Sequence, residues 1–157
     1  MGTPPQQQQH DEIIMVDIQQ QPPIIRKEDE DSTNPVLQQV LHDLKEAQLQ
    51  YGTEHALVGD AYNALGLIRV HMQQDPESAR LCHEWALLIF QKEERCTIKY
   101  ATTLNDIAYC YEQLNLPTVA LQYYEDSLRI FVNERISSSG SQVISLKRAI
   151  LRIQRYI

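Results

Sequence analysis

Two stretches of this chain, YNALG at residues 62–66 and LNDIA at residues 104–108, carry one pattern and decide the fold. The likeness extends beyond them, to Ile89-Phe90 after the first and to Ile130-Phe131 after the second. The asparagines of the two stretches lie 42 residues apart, and the closing phenylalanines lie 41 apart. Self-similarity at such a period indicates stacked structural units, because one unit cannot bury its apolar face alone. The pattern predicts a surface for holding partners rather than a pocket for chemistry.

The apolar residues around both stretches recur at helical spacing, and no strand-like alternation is found. Asn34-Pro35 is typical of an N-cap followed by proline at the first helical position, which predicts a helix over 36–51 with Gly52 as its stop. Further helices are predicted over about 55–73, 76–91, 97–114, 117–134 and 141–157. Because the connections are short, consecutive helices should pack antiparallel. The expected fold is all-α, with about six helices arranged as hairpins.

The first 35 residues differ in composition from the rest. They contain glutamine runs, two Pro-Pro pairs and the acidic run Glu28–Asp31, and carry a net charge of −5. Such a composition cannot bury enough apolar surface to offset the entropy of ordering, so residues 1–35 are predicted to be a disordered tail. Within it, IIMVDI at residues 13–18 is either a short linear motif that binds a partner or an incidental apolar patch. One helical domain is expected over 36–157.

The duplicated segment resembles the tetratricopeptide repeat, in which small residues stand where paired helices approach and larger residues fill the gaps. The copy over 97–135 matches the large, small and aromatic positions of the family, at Leu104, Ile107, Ala108, Tyr111, Ala120, Tyr124 and Ser127. The copy over 55–93 is degenerate, because Arg69 replaces the usual tyrosine and His83 the usual aromatic residue. It still matches at Tyr62, Leu65, Gly66, Ala79 and Ala86. The connection over 91–97 looks like that of the longer, kinesin-light-chain-like version.

This resemblance implies a short right-handed α-solenoid. The helix over 36–51 then corresponds to the second helix of an incomplete repeat, and the helix over 141–157 to a first helix that has become a cap. It also implies that the first helix of each pair lines a concave face, which is where partners bind. The residues expected there are Asp60, Asn63, Ala64, Leu67, Val70 and His71 from the first copy, and Thr102, Asn105, Asp106, Tyr109, Glu112 and Gln113 from the second.

Two hypotheses follow for this face. Asn63 and Asn105, one repeat apart, are expected to clamp the backbone of an extended peptide, with Tyr109 as an apolar platform; the alternative is that they are solvated or internal polar positions. The carboxylates of Asp60, Asp106 and Glu112 favour a neutral or basic peptide over an acidic one. Binding of acidic chaperone tails is disfavoured, since the lysine and arginine positions used by such family members are not basic here.

The final helix offers a secondary surface. Val143, Leu146, Ile150, Ile153 and Ile157 form one apolar stripe, widened by Ala149 and Tyr156, that should dock on the stack. The opposite side combines apolar and basic residues: Ile144, Lys147, Arg148, Leu151 and Arg155. It is either a solvated cap or a surface for self-association, an acidic partner or an acidic membrane. A further hypothesis is that the acidic run Glu28–Asp31 folds back on this helix or on the stack and competes with partners.

Composition and motifs argue against several function classes. The body over 36–135 has a net charge of −6, so nucleic acid is not an expected partner. No catalytic or cofactor motif is found: His83-Glu84 begins like a zinc-protease motif, but Leu87 stands at the second histidine position. Cys82, Cys96 and Cys110 form no CxxC pair, which indicates a reducing, cytoplasmic setting. No cofactor, metal site or transmembrane segment is predicted. The function expected is a protein-binding adaptor; the alternative is a structural subunit that self-associates through its last helix.

Overall fold

A computed structural model describes residues 21–134 and 140–157, apart from the side chain of Glu94, and there the protein is all-α without a strand. Seven α-helices and a one-turn 3-10 helix follow one another along these residues. They are α1 (Lys27–Glu30), α2 (Pro35–Tyr51), α3 (Ala56–His71), α4 (Pro76–Gln91), the 3-10 turn (Glu94–Cys96), α5 (Thr97–Gln113), α6 (Pro117–Asn133) and α7 (Ser141–Gln154).

The helix starts lie where local chemistry predicts them. The Asn34 side-chain oxygen accepts hydrogen bonds from the backbone N–H groups of Val36 at 2.9 Å and Leu37 at 3.3 Å, and Pro35 opens α2. Asp75 caps α4 in the same way, accepting from the backbone N–H of Ser78 at 3.0 Å. These side chains satisfy N–H groups that the first helical turn leaves unpaired.

The repeated sequence is a repeated structure. α5 begins 41 residues after α3, and α6 begins 41 residues after α4. The turns inside the two hairpins each contain one residue in the left-handed region, Gln74 with φ 54° and Asn115 with φ 59°, again 41 residues apart. Each helix from α2 to α7 packs against the next one along the chain. The expected all-α arrangement of neighbouring helix hairpins is confirmed.

Small residues allow the helices to approach closely. Ala79, Ala108 and Ala120 are fully buried. At Gly66 on α3, an added Cβ would lie 2.6 Å from the imidazole ring of His83 on α4, which leaves no space for a side chain. The core fills around these contacts in two main clusters, one built mostly from α2–α4 and one mostly from α5–α7.

The structure differs from the prediction of a disordered tail over residues 21–35, because this segment packs on α2, on α3 and on the turn between α3 and α4. The carboxylate of Asp29 is fully buried and contacts the guanidinium of Arg69 at 3.1 Å, and Arg26 pairs with Asp75 at 2.6 Å. Composition alone did not reveal this because the two ion pairs join residues 40 and 49 positions apart. Residues 1–20, and with them the apolar segment 13–18, lie outside the described residues.

The last helix is shorter than predicted. α7 ends at Gln154 rather than at residue 157, and Gly140 is its N-cap residue. The stripe from Val143 to Ile153 is buried against the stack as expected. Ile157 and Tyr156, by contrast, are 59 % and 84 % exposed, because the helical register does not continue to them.

Candidate functional site

A groove of about 310 Å³ opens between α3, α5 and α7, and we call it the central groove. α3 and α5 each begin one of the two helix pairs, and α7 follows the second pair; together these three helices contribute nine of the eleven lining residues. The lining is Leu67, Val70 and His71 from α3, Asn105, Asp106 and Tyr109 from α5, Ser145, Ala149 and Arg152 from α7, with His83 and Tyr124 from the second helices. Six residues predicted for the concave face are therefore brought together.

Asp106 is the carboxylate of the central groove without a cationic partner. Its nearest hydrogen-bond donor is the side-chain amide of Asn105, at a long 3.5 Å, and it joins no ion pair among the described residues. Burial raises the pKa of Asp106 to about 6, despite the opposing effect of the Asn105 contact. A cation on a ligand would make a favourable electrostatic interaction with this carboxylate, because no cation of the described residues makes one.

Glu112, also predicted for this face, is already neutralised. Both of its carboxylate oxygens accept from Arg152 of α7 at 2.8 Å, and one accepts from the Tyr124 hydroxyl at 3.0 Å. This ion pair, made by one guanidinium nitrogen of Arg152, ties α5 to α7. Asp106 is therefore the groove carboxylate whose negative charge is available to a ligand.

The groove also has an aromatic and apolar side. The rings of Tyr109 and His71 lie in tilted contact, with centroids 5.4 Å apart. Leu67 is 42 % exposed, whereas Val70 is buried in a small cluster with Ala79 and Cys110. Tyr109 packs on that cluster and keeps part of its surface accessible, as expected of a platform for a ligand.

Asn63 is an internal polar residue, so the structure does not support a peptide clamp there. Its amide nitrogen donates to Thr103 Oγ1 at 2.7 Å, and its amide oxygen lies 2.9 Å from Nδ1 of His83. The side chain thereby joins α3 to both α4 and α5. Asn105 has no such pair of bonds and lines the groove, so it remains the asparagine that can meet a peptide backbone.

The other predicted residues lie elsewhere. Asp60 pairs with Lys99 at 2.6 Å and, with Ala64, lines a separate groove between α2 and α3. The hydroxyl of Thr102 donates to the backbone carbonyl of Ile98 at 2.9 Å and faces a pocket of about 240 Å³ beside the start of α7. Gln113 is exposed at the end of α5. The predicted set is thus divided among separate surfaces.

Sequence reasoning missed the contribution of α7 to the central groove, which consists of Ser145, Ala149 and Arg152. The sequence carries a signal for this contribution, since the resemblance implies that 141–157 is a first helix, and first helices line the concave face in that family. It also missed His83 as a lining residue. Burial lowers the pKa of His83 to about 4, so the ring is neutral at pH 7.

The residues predicted for a secondary surface all lie on the solvent side of α7. Ile144, Lys147, Arg148, Leu151 and Arg155 are all exposed and lie at i, i+3, i+4, i+7 and i+11 along one side of the helix. Leu151 is 57 % exposed. We call these five residues the outer face of α7.

Neither a metal-binding cluster nor a membrane-spanning helix is found within the described residues. In this part of the chain no three His, Cys, Asp or Glu side chains are grouped as a metal site would require. None of its helices has the length and apolar character needed to cross a bilayer. Cys82, Cys96 and Cys110 are free, buried thiols, and burial raises the pKa of Cys82 to about 11.

Comparison of the chain with models of known protein families and with curated proteins gave no match.

Proposed function

We propose that this protein is a tetratricopeptide-type adaptor that binds an extended, neutral or basic segment of another protein in the central groove. No chemistry and no cofactor are part of this proposal. The buried free thiols favour a reducing compartment, so the adaptor is proposed to act in the cytoplasm.

The arrangement of helices supports the proposal. The first helices of the two successive pairs and the helix that follows them share one groove, as in stacks where an extended partner contacts several repeats at once. A ligand there would meet an amide at Asn105, an aromatic surface at Tyr109 and an exposed leucine at Leu67. This mixture of apolar surface with a few polar groups is typical of peptide-binding sites.

The single observation that carries the proposal is the half-buried, unpaired carboxylate of Asp106. Keeping a carboxylate in a partly dry site without a cation costs stability, and a protein retains such a group where a ligand pairs with it. A lysine or arginine of the bound segment would supply that pair. Glu112 cannot take this role because Arg152 already neutralises it.

The proposal is tested by affinity capture from a cell lysate with quantitative mass spectrometry. The groove variant combines Asp106→Lys with Leu67→Glu, which reverses the charge and makes the exposed apolar contact acidic. The matched control combines Glu125→Lys with Val132→Glu, both exposed on α6. We expect at least one protein to be retained by the wild type and the control and to be lost, by about tenfold or more, from the groove variant.

The segment of the captured protein is then mapped with overlapping peptides by fluorescence anisotropy. A neutral or basic segment that binds the wild type and not the groove variant supports the proposal. Equal retention of every captured protein by all three chains contradicts it, provided that thermal melts show the variants to be folded.

A further inference from the structure

A second groove, of about 450 Å³, lies between α2 and α3, and we call it the α2–α3 groove. Its apolar lining includes Val40, Tyr51 and Leu57, and the last two are about half exposed. Three carboxylates, those of Asp43, Glu46 and Asp60, stand around this apolar surface, and no lysine or arginine of the described residues is among its lining.

Two of these carboxylates are not paired with a lysine or arginine in the described structure. Asp43 accepts a hydrogen bond from the neutral amide of Gln39 at 2.7 Å. The contact of Glu46 is with the His42 imidazole at 4.0 Å, whereas Asp60 is paired with Lys99. The α2–α3 groove therefore combines apolar lining residues with carboxylates, which we call its acidic rim, and this suits a helix that carries both apolar and basic residues on one side.

The outer face of α7 has that complementary character. Residues 141–157 contain four basic residues and no acidic one. Ile144 and Leu151, two turns apart, are exposed on the outer face, with Lys147 and Arg148 between them. Arg152 is occupied by Glu112, but Lys147, Arg148 and Arg155 are in no ion pair within the described residues.

We propose that the outer face of α7 in one copy docks in the α2–α3 groove of a second copy. The apolar pair Ile144 and Leu151 lies on the apolar lining residues of the groove, and Lys147 and Arg148 meet Asp43 and Glu46. Because the contact joins two different surfaces, one on the first and one on the last of the long helices, it is head-to-tail. A head-to-tail contact leaves one free groove and one free helix at the ends of every open assembly, so copies continue to add until a ring closes.

This inference does not rest on the peptide-binding proposal, because the central groove and the α2–α3 groove have different lining residues. Sedimentation velocity of the full chain over a range of concentrations at low salt tests it. We expect the weight-average mass to rise beyond that of a dimer with concentration, and added salt to reduce it, since the rim contacts are exposed ion pairs.

Charge reversal then identifies the two surfaces. Asp43→Lys/Glu46→Lys makes the groove basic, and Lys147→Glu/Arg148→Glu makes the outer face of α7 acidic. Each double variant alone should associate at least about tenfold more weakly than the wild type, because like charges now face each other. Mixing the two variants should restore association, and so should combining all four substitutions in one chain.

The control Glu125→Lys/Glu134→Lys changes the net charge as much as the groove variant does and should associate like the wild type. Asp106→Lys/Leu67→Glu, which alters the central groove, should also associate normally, so failure of one proposal is distinguishable from failure of the other. A wild type that stays monomeric at all concentrations in low salt overturns the inference. So does a mixture of the two reversed variants that remains as weak as each alone.

Discussion

Arg69 departs from the repeat pattern and holds the N-terminal segment in place. It is 2 % exposed, and its guanidinium donates to Asp29 at 3.1 Å, to the Ile24 carbonyl at 2.9 Å and to the Cys82 sulfur at 3.2 Å. The tyrosine that the resembling family has at this position would not provide such a fork of donors. Arg69 is thus, together with the Arg26–Asp75 ion pair, a contact that fixes residues 21–35 against the helices.

Asp29→Asn should destabilise the protein by about 3 kcal/mol, because it leaves the buried guanidinium of Arg69 without its counter-charge. Urea unfolding at pH 7, followed by circular dichroism, measures this. The control Asp31→Asn lies on the same segment but is exposed, and it should change the free energy of unfolding by less than about 0.5 kcal/mol. Equal unfolding midpoints for the two variants would contradict the role assigned to Asp29.

The Asp29–Arg69 ion pair should also make the free energy of unfolding sensitive to acid. Burial by itself would raise the pKa of Asp29, but hydrogen bonds from Gln73, the Arg26 backbone and Arg69 hold it below its usual value. The stabilisation is therefore present above the ordinary aspartate pKa and is lost as the pH falls through the lower folded value. The free energy of unfolding of the Asp29→Asn variant should therefore fall less than that of the wild type over this pH range.

Asp106 should show the opposite behaviour. Because its folded pKa of about 6 is raised above the ordinary value of 3.8, the charged carboxylate destabilises the fold at pH 7, and protonation relieves this as the pH falls through 6. Asp106→Asn is expected to stabilise the protein by about 1–3 kcal/mol at pH 7 and by almost nothing near pH 4. Thermal melts at several pH values measure the difference. Destabilisation by Asp106→Asn at pH 7 would show that the carboxylate has a structural partner.

At the scale of the element, the two helices of each hairpin approach so closely that only small side chains fit at the contact positions. Gly66→Ala would place a methyl group 2.6 Å from the His83 ring and should cost about 1–3 kcal/mol. In a chain that already carries His83→Ala, the same change should cost clearly less, since the clash is removed. Chemical denaturation of the four chains gives this double-mutant cycle. An unchanged cost in the His83→Ala background would contradict the close approach of α3 and α4.

The second hairpin makes an equivalent test possible. Ala120 is fully buried on α6, and Ala120→Leu should destabilise by about 1–3 kcal/mol through overpacking. Thr118 is exposed two residues earlier on the same helix, so Thr118→Leu serves as the control and should have little effect. If the thermal melt of Ala120→Leu overlays that of the wild type, the repeat register is wrong.

The elements show why part of the structure was predictable. Asn34-Pro35, Asp75-Pro76 and Pro117 fix helix starts by local contacts, so the starts of α2, α4 and α6 could be predicted closely. The ordering of residues 21–35 depends on contacts between positions far apart in sequence, which no local pattern carries. The repeat register was enough to place Asp106 and Tyr109 on one groove, but it did not indicate that the Asn63 side chain is bonded to His83 and Thr103 within the stack.

At the scale of the whole molecule, the helices pack in chain order and leave two grooves with different chemistry. The central groove is lined by α3, α5 and α7, and within the described part of the chain it holds one carboxylate without a cationic partner, that of Asp106. The α2–α3 groove is apolar with an acidic rim and matches the basic outer face of α7. A ligand segment and a second copy of the chain are therefore expected to occupy separate surfaces.

The most direct test is an amide NMR titration of the labelled chain with the peptide mapped from its captured partner. The largest shift changes are expected at Leu67, Asp106 and Tyr109, one on α3 and two on α5, with smaller ones along the inner side of α7. Binding should weaken below pH 6, where Asp106 becomes neutral. Shift changes confined to residues 21–35 or to the outer face of α7, with the central groove unaffected, would contradict the assignment of the peptide site.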